Sequence, residues 1–464
     1  MPSGRRALGA AVVALGVAAL AVGGAGPAGA RVTPRPSHTW VSPALDGLIQ
    51  ARPVVVGTTV VVATQNNSLY GLSLGDGRIL WGPRHVGPPI SLADIAALSP
   101  SAAGCGNVDP IGIIGSPAVD PGTGRVFAVA EVATRPGHPP VHELVGVDAA
   151  TGQVVVGPTP IDPPSMLHPE LEEQRAGLTV ANGNVYVAFG GLFGDCGEYH
   201  GFVVAAREDG SGIAGYFEDT NGVQGNRQGG IRGTGPLPVD AYGNVYAATG
   251  NAENSPPPPL TDDSQAVIRL GPTPSFSLDF FQPVTFQAEN ASGLDLGSTS
   301  PLLVGDGQIF QIGKQRNAYL LDAADLGGAD HHTPLASLDN LCLAMGSNAV
   351  LGSSVFVACQ GGVQQVLIDR SGSVPQLRHG WTAPVPAGGP VVVGAGWVWS
   401  VDTADGVLDA MNPITGKVVA HDSVSLDASQ QFPTPTVAAP SVLVAAGDHV
   451  DAFALPVVRP RRAR

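Results

Sequence analysis

One pattern recurs eight times along the chain and limits its fold more than any other feature. It consists of two short β runs, then an apolar strand ending in Asp or a substitute, a Gly turn and a further strand. The clearest copies are Ser68-Leu69-Tyr70-Gly71-Leu72-Ser73-Leu74-Gly75-Asp76-Gly77-Arg78-Ile79-Leu80-Trp81 and Glu143-Leu144-Val145-Gly146-Val147-Asp148-Ala149-Ala150-Thr151-Gly152-Gln153-Val154-Val155. Weaker copies follow at 202–217, 266–281, 318–326, 363–381, 407–419 and 450–455, with upstream strands such as Val126-Phe127-Ala128-Val129 and Val185-Tyr186-Val187-Ala188. Copies lie roughly 40 to 75 residues apart, the wider spacings holding inserted loops. Four short antiparallel strands cannot bury both faces alone, so such units stack radially. The predicted fold is therefore all-β, a β-propeller of four-stranded antiparallel blades, with eight blades favoured and seven as the alternative.

Local chemistry supports each turn. Asp148 can bond the backbone of its own turn, Thr151 does so more weakly, and Gly152 takes a positive φ. Trp81 and Trp381 each end a turn-and-strand unit, where a large ring can wedge between neighbouring blades. Trp40 has that character with no repeat before it, while the last repeat stops at Leu455 without an outer strand. Residues 38 to 43 are thus expected to complete the final blade and close the ring, removing open edges.

Composition narrows the class further. The 464 residues include 63 Gly and 42 Pro, which excludes an all-α bundle, and 44% hydrophobic against 13% charged residues excludes a disordered chain. A formal net charge of −15 argues against nucleic acid as a partner.

Residues 1–30 carry Arg5 and Arg6, an apolar run from Ala7, and a small-residue terminus Ala28-Gly29-Ala30, which together read as a secretory signal peptide. Ala, Gly and Val rather than Leu dominate the run, favouring cleavage over retention as an anchor. The Arg5-Arg6 pair leaves twin-arginine export open beside the general secretory route. The expected organisation is a signal peptide (1–30), a propeller (31–457) and a basic tail (458–464), in a monomer that is secreted or associated with the cell envelope. Four cysteines in an exported chain favour two disulfides, and three connectivities are open. Cys342 and Cys359 flank one apolar strand pair, which leaves Cys105 with Cys196.

The turn pattern Leu-Tyr-x-Leu-x-x-x-x-Gly-x-x-x-Trp and the run Val147-Asp148-Ala149-Ala150-Thr151-Gly152 resemble the pyrrolo-quinoline quinone (PQQ) repeat. That repeat is shared by quinoprotein alcohol dehydrogenases and by non-enzymatic relatives such as the propeller lipoprotein of outer-membrane protein assembly. The resemblance spans residues 38 to 455. Asn244-Val245-Tyr246-Ala247-Ala248-Thr249-Gly250-Asn251 is similar to the segment whose Asn helps hold calcium beside the quinone. Leu294-Asp295-Leu296-Gly297-Ser298-Thr299-Ser300-Pro301 resembles the segment supplying a catalytic base. Gly313-Lys314-Gln315-Arg316-Asn317 is similar to the strand whose cation contacts quinone oxygens. The resemblance thus implies Asp295 as base, Lys314 as electrophile and quinone contact, and Asn251 on calcium.

The chain also departs from that pattern. Two adjacent cysteines over the quinone are replaced by Gly104-Cys105-Gly106, and in Asp195-Cys196-Gly197-Glu198-Tyr199-His200-Gly201 the calcium-binding Glu position holds Cys196, with His200 for an Arg. No tryptophan floor is identifiable. The resemblance places a Cys105 to Cys196 bridge across the former pocket, filling it.

Other candidates read more plainly. His200 is expected to be a hydrogen-bonded strand residue rather than an axial ligand. His331 and His332 with Asp330 form a potential metal group that lacks a third partner. Pro256 to Pro259 reads as a stiff loop, and Arg459, Arg461, Arg462 and Arg464 as a solvated tail. The leading functional expectation is a binding or scaffold propeller without a resident cofactor, its protein or carbohydrate ligand held by funnel loops such as 91 to 110 and 220 to 235. The alternative is a PQQ- and calcium-dependent dehydrogenase oxidising an alcohol or sugar.

Overall fold

The computed structural model describes residues 38–219, 227–253, 262–386 and 388–456. The signal-peptide segment, the basic tail, the run 256–259 and the part of the funnel loop at 220–226 lie outside the described residues.

Blade 1 comprises Val54–Val56, Thr59–Thr64, Ser68–Ser73 and Ile79–His85, each strand paired antiparallel with the one before it. Blades 2, 3, 5, 6 and 7 repeat this order at 118–160, 179–218, 302–338, 349–383 and 392–423. Blade 4 has a regular ladder of three strands, Val245–Ala248, Val267–Leu270 and Ser277–Phe281, and its first strand shrinks to one bridge from Val239 to Val245. Pro236 and Pro238 precede that bridge and remove the amide donors a longer strand would need. Blade 8 takes Thr436–Ala438, Ser441–Ala446 and His449–Ala454, and its fourth strand is His38–Val41, paired with His449–Ala454. The ring therefore has eight blades and is closed by the N-terminal strand, as the repeat arithmetic implies.

Each blade is covered on both faces, so its second strand is a continuous apolar run rather than an alternating one. Every residue of Val60–Ala63 and Val185–Phe189 is buried. Outer strands leave apolar side chains such as Ile79, Leu80, Val154 and Val155 exposed. An apolar cluster fills each of the eight junctions between blades. The closing junction joins Val60, Val62 and Tyr70 of blade 1 to Leu443, Ala445 and Val450 of blade 8.

The turns behave as their residues dictate. Thr151 donates its backbone N–H to Asp148 Oδ1 at 2.8 Å, and Gly152 follows at φ 67°. Asn412 replaces Asp in blade 7, accepting from the N–H groups of Ile414 and Thr415 ahead of Gly416 at φ 66°. Tryptophans dock on these turns across the junctions: Trp81 Nε1 donates to Ala149 O at 2.9 Å, Trp381 Nε1 to Pro413 O at 3.1 Å and Trp40 Nε1 to Leu74 O at 3.1 Å.

First strands of successive blades contact one another around the axis. The face at which they begin is termed the upper face below. An insert between blades 1 and 2 lies on that face and carries a short helix, Leu92–Leu98, capped by Ser91, whose side chain accepts the Asp94 N–H. Among the described residues no helix is long and apolar enough to cross a membrane.

Candidate functional site

The upper face holds an axial cavity of about 420 Å³. Its walls are the segments that lead into first strands or leave second strands, so loops from several blades each contribute a side chain. Three cations line it: Arg175 ahead of blade 3, Arg232 ahead of blade 4 and Lys314 beyond the second strand of blade 5. Phe193, Met345 and Phe432 supply apolar surface.

Each cation already has a carboxylate. Arg175 forks onto Glu173 at 2.9 and 3.0 Å, reaches Asn107 Oδ1 at 3.0 Å, and lies over the Phe432 ring at 5.8 Å from the centroid. Arg232 bonds Asp195 and the Tyr199 hydroxyl, with its guanidinium 5.3 Å from the Tyr199 ring centroid. Tyr199 in turn donates to Asp195 Oδ1 at 2.7 Å. Burial, followed by the charges of Asp295, Glu172 and Asp219, raises the Tyr199 phenol far above its ordinary value, so it stays a neutral donor. Lys314 is ion-paired with Asp295.

The structure brings together the three residues singled out for quinone chemistry. Asp295 Oδ1 accepts the Asn251 backbone N–H at 3.0 Å, Asp295 Oδ2 meets the Lys314 ammonium, and the Asp295 carbonyl accepts the Lys314 backbone N–H at 2.9 Å. Gly250 allows this approach, because a Cβ there would stand 2.6 Å from Asp295 Oδ1. Burial opposes ionisation of Asp295, but the charges of Arg232 and Lys314 and the Asn251 N–H outweigh it and hold its carboxyl below the usual carboxylate range. The Asp295 side chain is fully buried and does not line the cavity, whereas Lys314 stands between it and the open space.

A quinone and calcium do not fit these residues. Calcium takes six to eight oxygens. Asn251 Oδ1 is buried without a donor and suits a cation, but both Asp295 oxygens are engaged by nitrogen. No group of three His, Cys, Asp or Glu side chains is placed to hold a metal among the described residues. A flat tricyclic ring needs a stacking floor, and no tryptophan lines the cavity.

Both disulfides form, Cys105 with Cys196 and Cys342 with Cys359, at Cα separations of 6.2 and 5.7 Å. The first does not fill the pocket. It lies at the edge of a separate apolar cluster with Leu171, Leu192 and Tyr199, pinning the insert to the loop that leaves the second strand of blade 3, and neither cysteine lines the cavity. His200 donates its backbone N–H to Glu172 Oε1 at 2.8 Å, with its ring edge-on to Phe202. The 330–332 group disperses: Asp330 accepts the His332 N–H of its own turn, His331 stacks on Phe280, and His332 Nδ1 meets the Gln282 carbonyl.

Arg175, Arg232 and their carboxylate partners carry no local sequence signature. Arg232 and Asp195 join segments far apart in the chain, Arg175 leaves a two-residue edge strand that holds Glu173, and the one hint is an Arg in a Gly-rich run, Gly229-Gly230-Ile231-Arg232-Gly233.

No family model and no curated protein matches the chain. Solved structures do match in fold. BamB from Moraxella catarrhalis aligns at 12% identity and TM-score 0.56, covering 90% of this chain and 97% of that one. A quinohemoprotein alcohol dehydrogenase, ADHIIG from Pseudomonas putida HK5, aligns at 15% identity and TM-score 0.58 over 92% of this chain and 77% of its own. A europium-containing methanol dehydrogenase aligns at 14% identity and TM-score 0.61 over 90% and 93%. The chain is thus an eight-bladed propeller of the architecture found in quinoprotein dehydrogenases and in BamB, and these identities speak to fold alone.

Proposed function

We propose that the protein is an exported propeller that binds or scaffolds at or outside the cell envelope, taking a protein or carbohydrate ligand on its upper face. The observation that carries this reading is the placement of Asp295. A catalytic base must come within hydrogen-bond reach of the proton it removes, and Asp295 is sealed behind Lys314 as an internal counter-ion. What remains is a preformed cavity with three neutralised cations and an aromatic rim, which is the equipment of a recognition site. The two disulfides support an oxidising, extracytoplasmic location.

The test is a dye-linked oxidation assay of the purified protein with PQQ, calcium and a panel of alcohols and sugars, run beside Asp295→Asn. The proposal expects no turnover above background in either protein. Turnover that disappears in Asp295→Asn would establish the dehydrogenase instead.

A further inference from the structure

A second cavity, of about 380 Å³, runs along the axis side of blades 7 and 8 and shares no lining residue with the upper one. Its walls are the first strand of each blade and the hairpin after it: Val392, Val393, Gly394 and Ala395 from blade 7, Thr436, Val437 and Ala439 from blade 8. Those hairpins turn at the far ends of the first strands, whereas Arg52 and Pro435 stand just before first strands begin, so the cavity runs along the axis between the two ends. Of its lining residues only Arg52 is charged.

Arg52 precedes the first strand of blade 1. Its backbone N–H is used, donating to Ser116 Oγ at 3.1 Å, but its guanidinium has no hydrogen-bond acceptor or carboxylate among the described residues and its Nε is buried without a partner. Burial pushes the guanidinium down from its ordinary value with no charge offsetting it. The three upper cations each own a carboxylate, which makes the bare Arg52 a distinct case. Thr436 does not compete for an anion, since its hydroxyl already donates to the Pro53 carbonyl at 2.6 Å.

Arg52 is half-buried, a partly buried cation without a counter-ion is costly, and a fork of N–H donors matches a carboxylate. We propose that this cavity binds a small apolar monocarboxylate, with its carboxylate on the Arg52 fork and its hydrocarbon against Val392, Val393 and Val437. One unpaired cation selects a single anionic charge, and valine walls disfavour a polar or multiply charged remainder.

The test is calorimetric titration of the mature protein with butanoate, hexanoate and octanoate at low ionic strength. Binding is expected to be saturable at one site and to strengthen by about fourfold per added methylene, the value of burying one methylene group. Arg52→Gln should weaken octanoate at least tenfold with circular dichroism unchanged, and Arg52→Lys should weaken it less. Equal affinity in wild type and Arg52→Gln overturns the proposal, as does no saturable signal at tens of millimolar.

Discussion

Trp81 of blade 1 occupies the space that a side chain at Gly152 of blade 2 would need: a Cβ at Gly152 would stand 2.4 Å from the indole. Trp381 stands in the same relation to Gly416, and Trp40 to Gly77. A glycine already required for a positive-φ turn therefore serves a second purpose as the seat of the neighbouring blade's ring, so turn chemistry and blade docking are one feature. Trp40 carries it across the ring closure.

Replacing Trp81 by Ala is expected to cost about 3–5 kcal/mol of unfolding free energy, because a buried indole and its interblade contacts are lost together. Trp81→Phe should cost less, about 1 kcal/mol for the hydrogen bond to Ala149 O on top of reduced packing. Gly152→Ala should also destabilise, through both the φ of 67° and the clash. Urea denaturation of the three variants provides the check, and a Gly152→Ala protein as stable as wild type would contradict the docking argument.

The disulfides should separate in their effects. Under the chain-entropy model each is worth about 2–5 kcal/mol, the longer loop closed by Cys105 and Cys196 giving the greater share. Cys105→Ala with Cys196→Ala should in addition speed hydrogen exchange in the helix Leu92–Leu98, which that bridge pins, while Cys342→Ala with Cys359→Ala should leave this helix protected. Exchange measured peptide by peptide distinguishes the two.

Asp295→Asn removes the partner of a Lys314 that sits only partly in solvent, and breaking such a pair costs about 3–5 kcal/mol when one charge is left behind. Because the folded carboxyl titrates below its unfolded value, its contribution is present above the unfolded pKa and is lost as pH falls through the folded one. The variant should therefore show a smaller acid-induced fall in stability than the wild type, as read from melting temperatures across pH 2–5.

A buried cluster between blades 2 and 3 acts in the opposite sense. His142 is fully buried, with Nδ1 2.7 Å from Asp162, Nε2 3.0 Å from the Glu172 carbonyl, and Glu131 3.8 Å away. Burial raises the Glu131 carboxyl to about 8 against a nearby His142 charge that lowers it. Between the ordinary carboxylate value and about 8 the folded state holds a proton the unfolded state has released, so stability should fall as pH rises through that window. Glu131→Gln should flatten the stability profile from pH 5 to 8, and an unchanged slope would contradict the assignment.

The ring was legible in the sequence because its signals are local. Asp148, Thr151 and Gly152 set one turn among themselves, and each apolar strand declares its burial on both faces. The missing outer strand after Leu455 and the orphan Trp40 even revealed the closure. The site was only half legible. Asn251, Asp295 and Lys314 were found by resemblance and do converge, but whether Asp295 faces the cavity depends on where the Lys314 chain lies, which no spacing encodes. Arg232 with Asp195 arises from loops of neighbouring blades, and the bare Arg52 meets blades 7 and 8 only when the ring closes. The Cys105 to Cys196 bridge shows the same limit: its pairing was what remained once Cys342 and Cys359 were joined across one strand pair, whereas its position beside the pocket rather than across it depends on how the 86–117 insert packs on Leu171 and Tyr199.

The central claim is that the upper cavity recognises a ligand without quinone chemistry, and the most direct measurement is titration of the purified protein with PQQ and calcium, followed by absorbance and thermal shift. A ligand that binds only the native state must raise the melting temperature. The account predicts no calcium-dependent shift at millimolar calcium and excess quinone. Saturable, calcium-dependent binding near micromolar PQQ would contradict it.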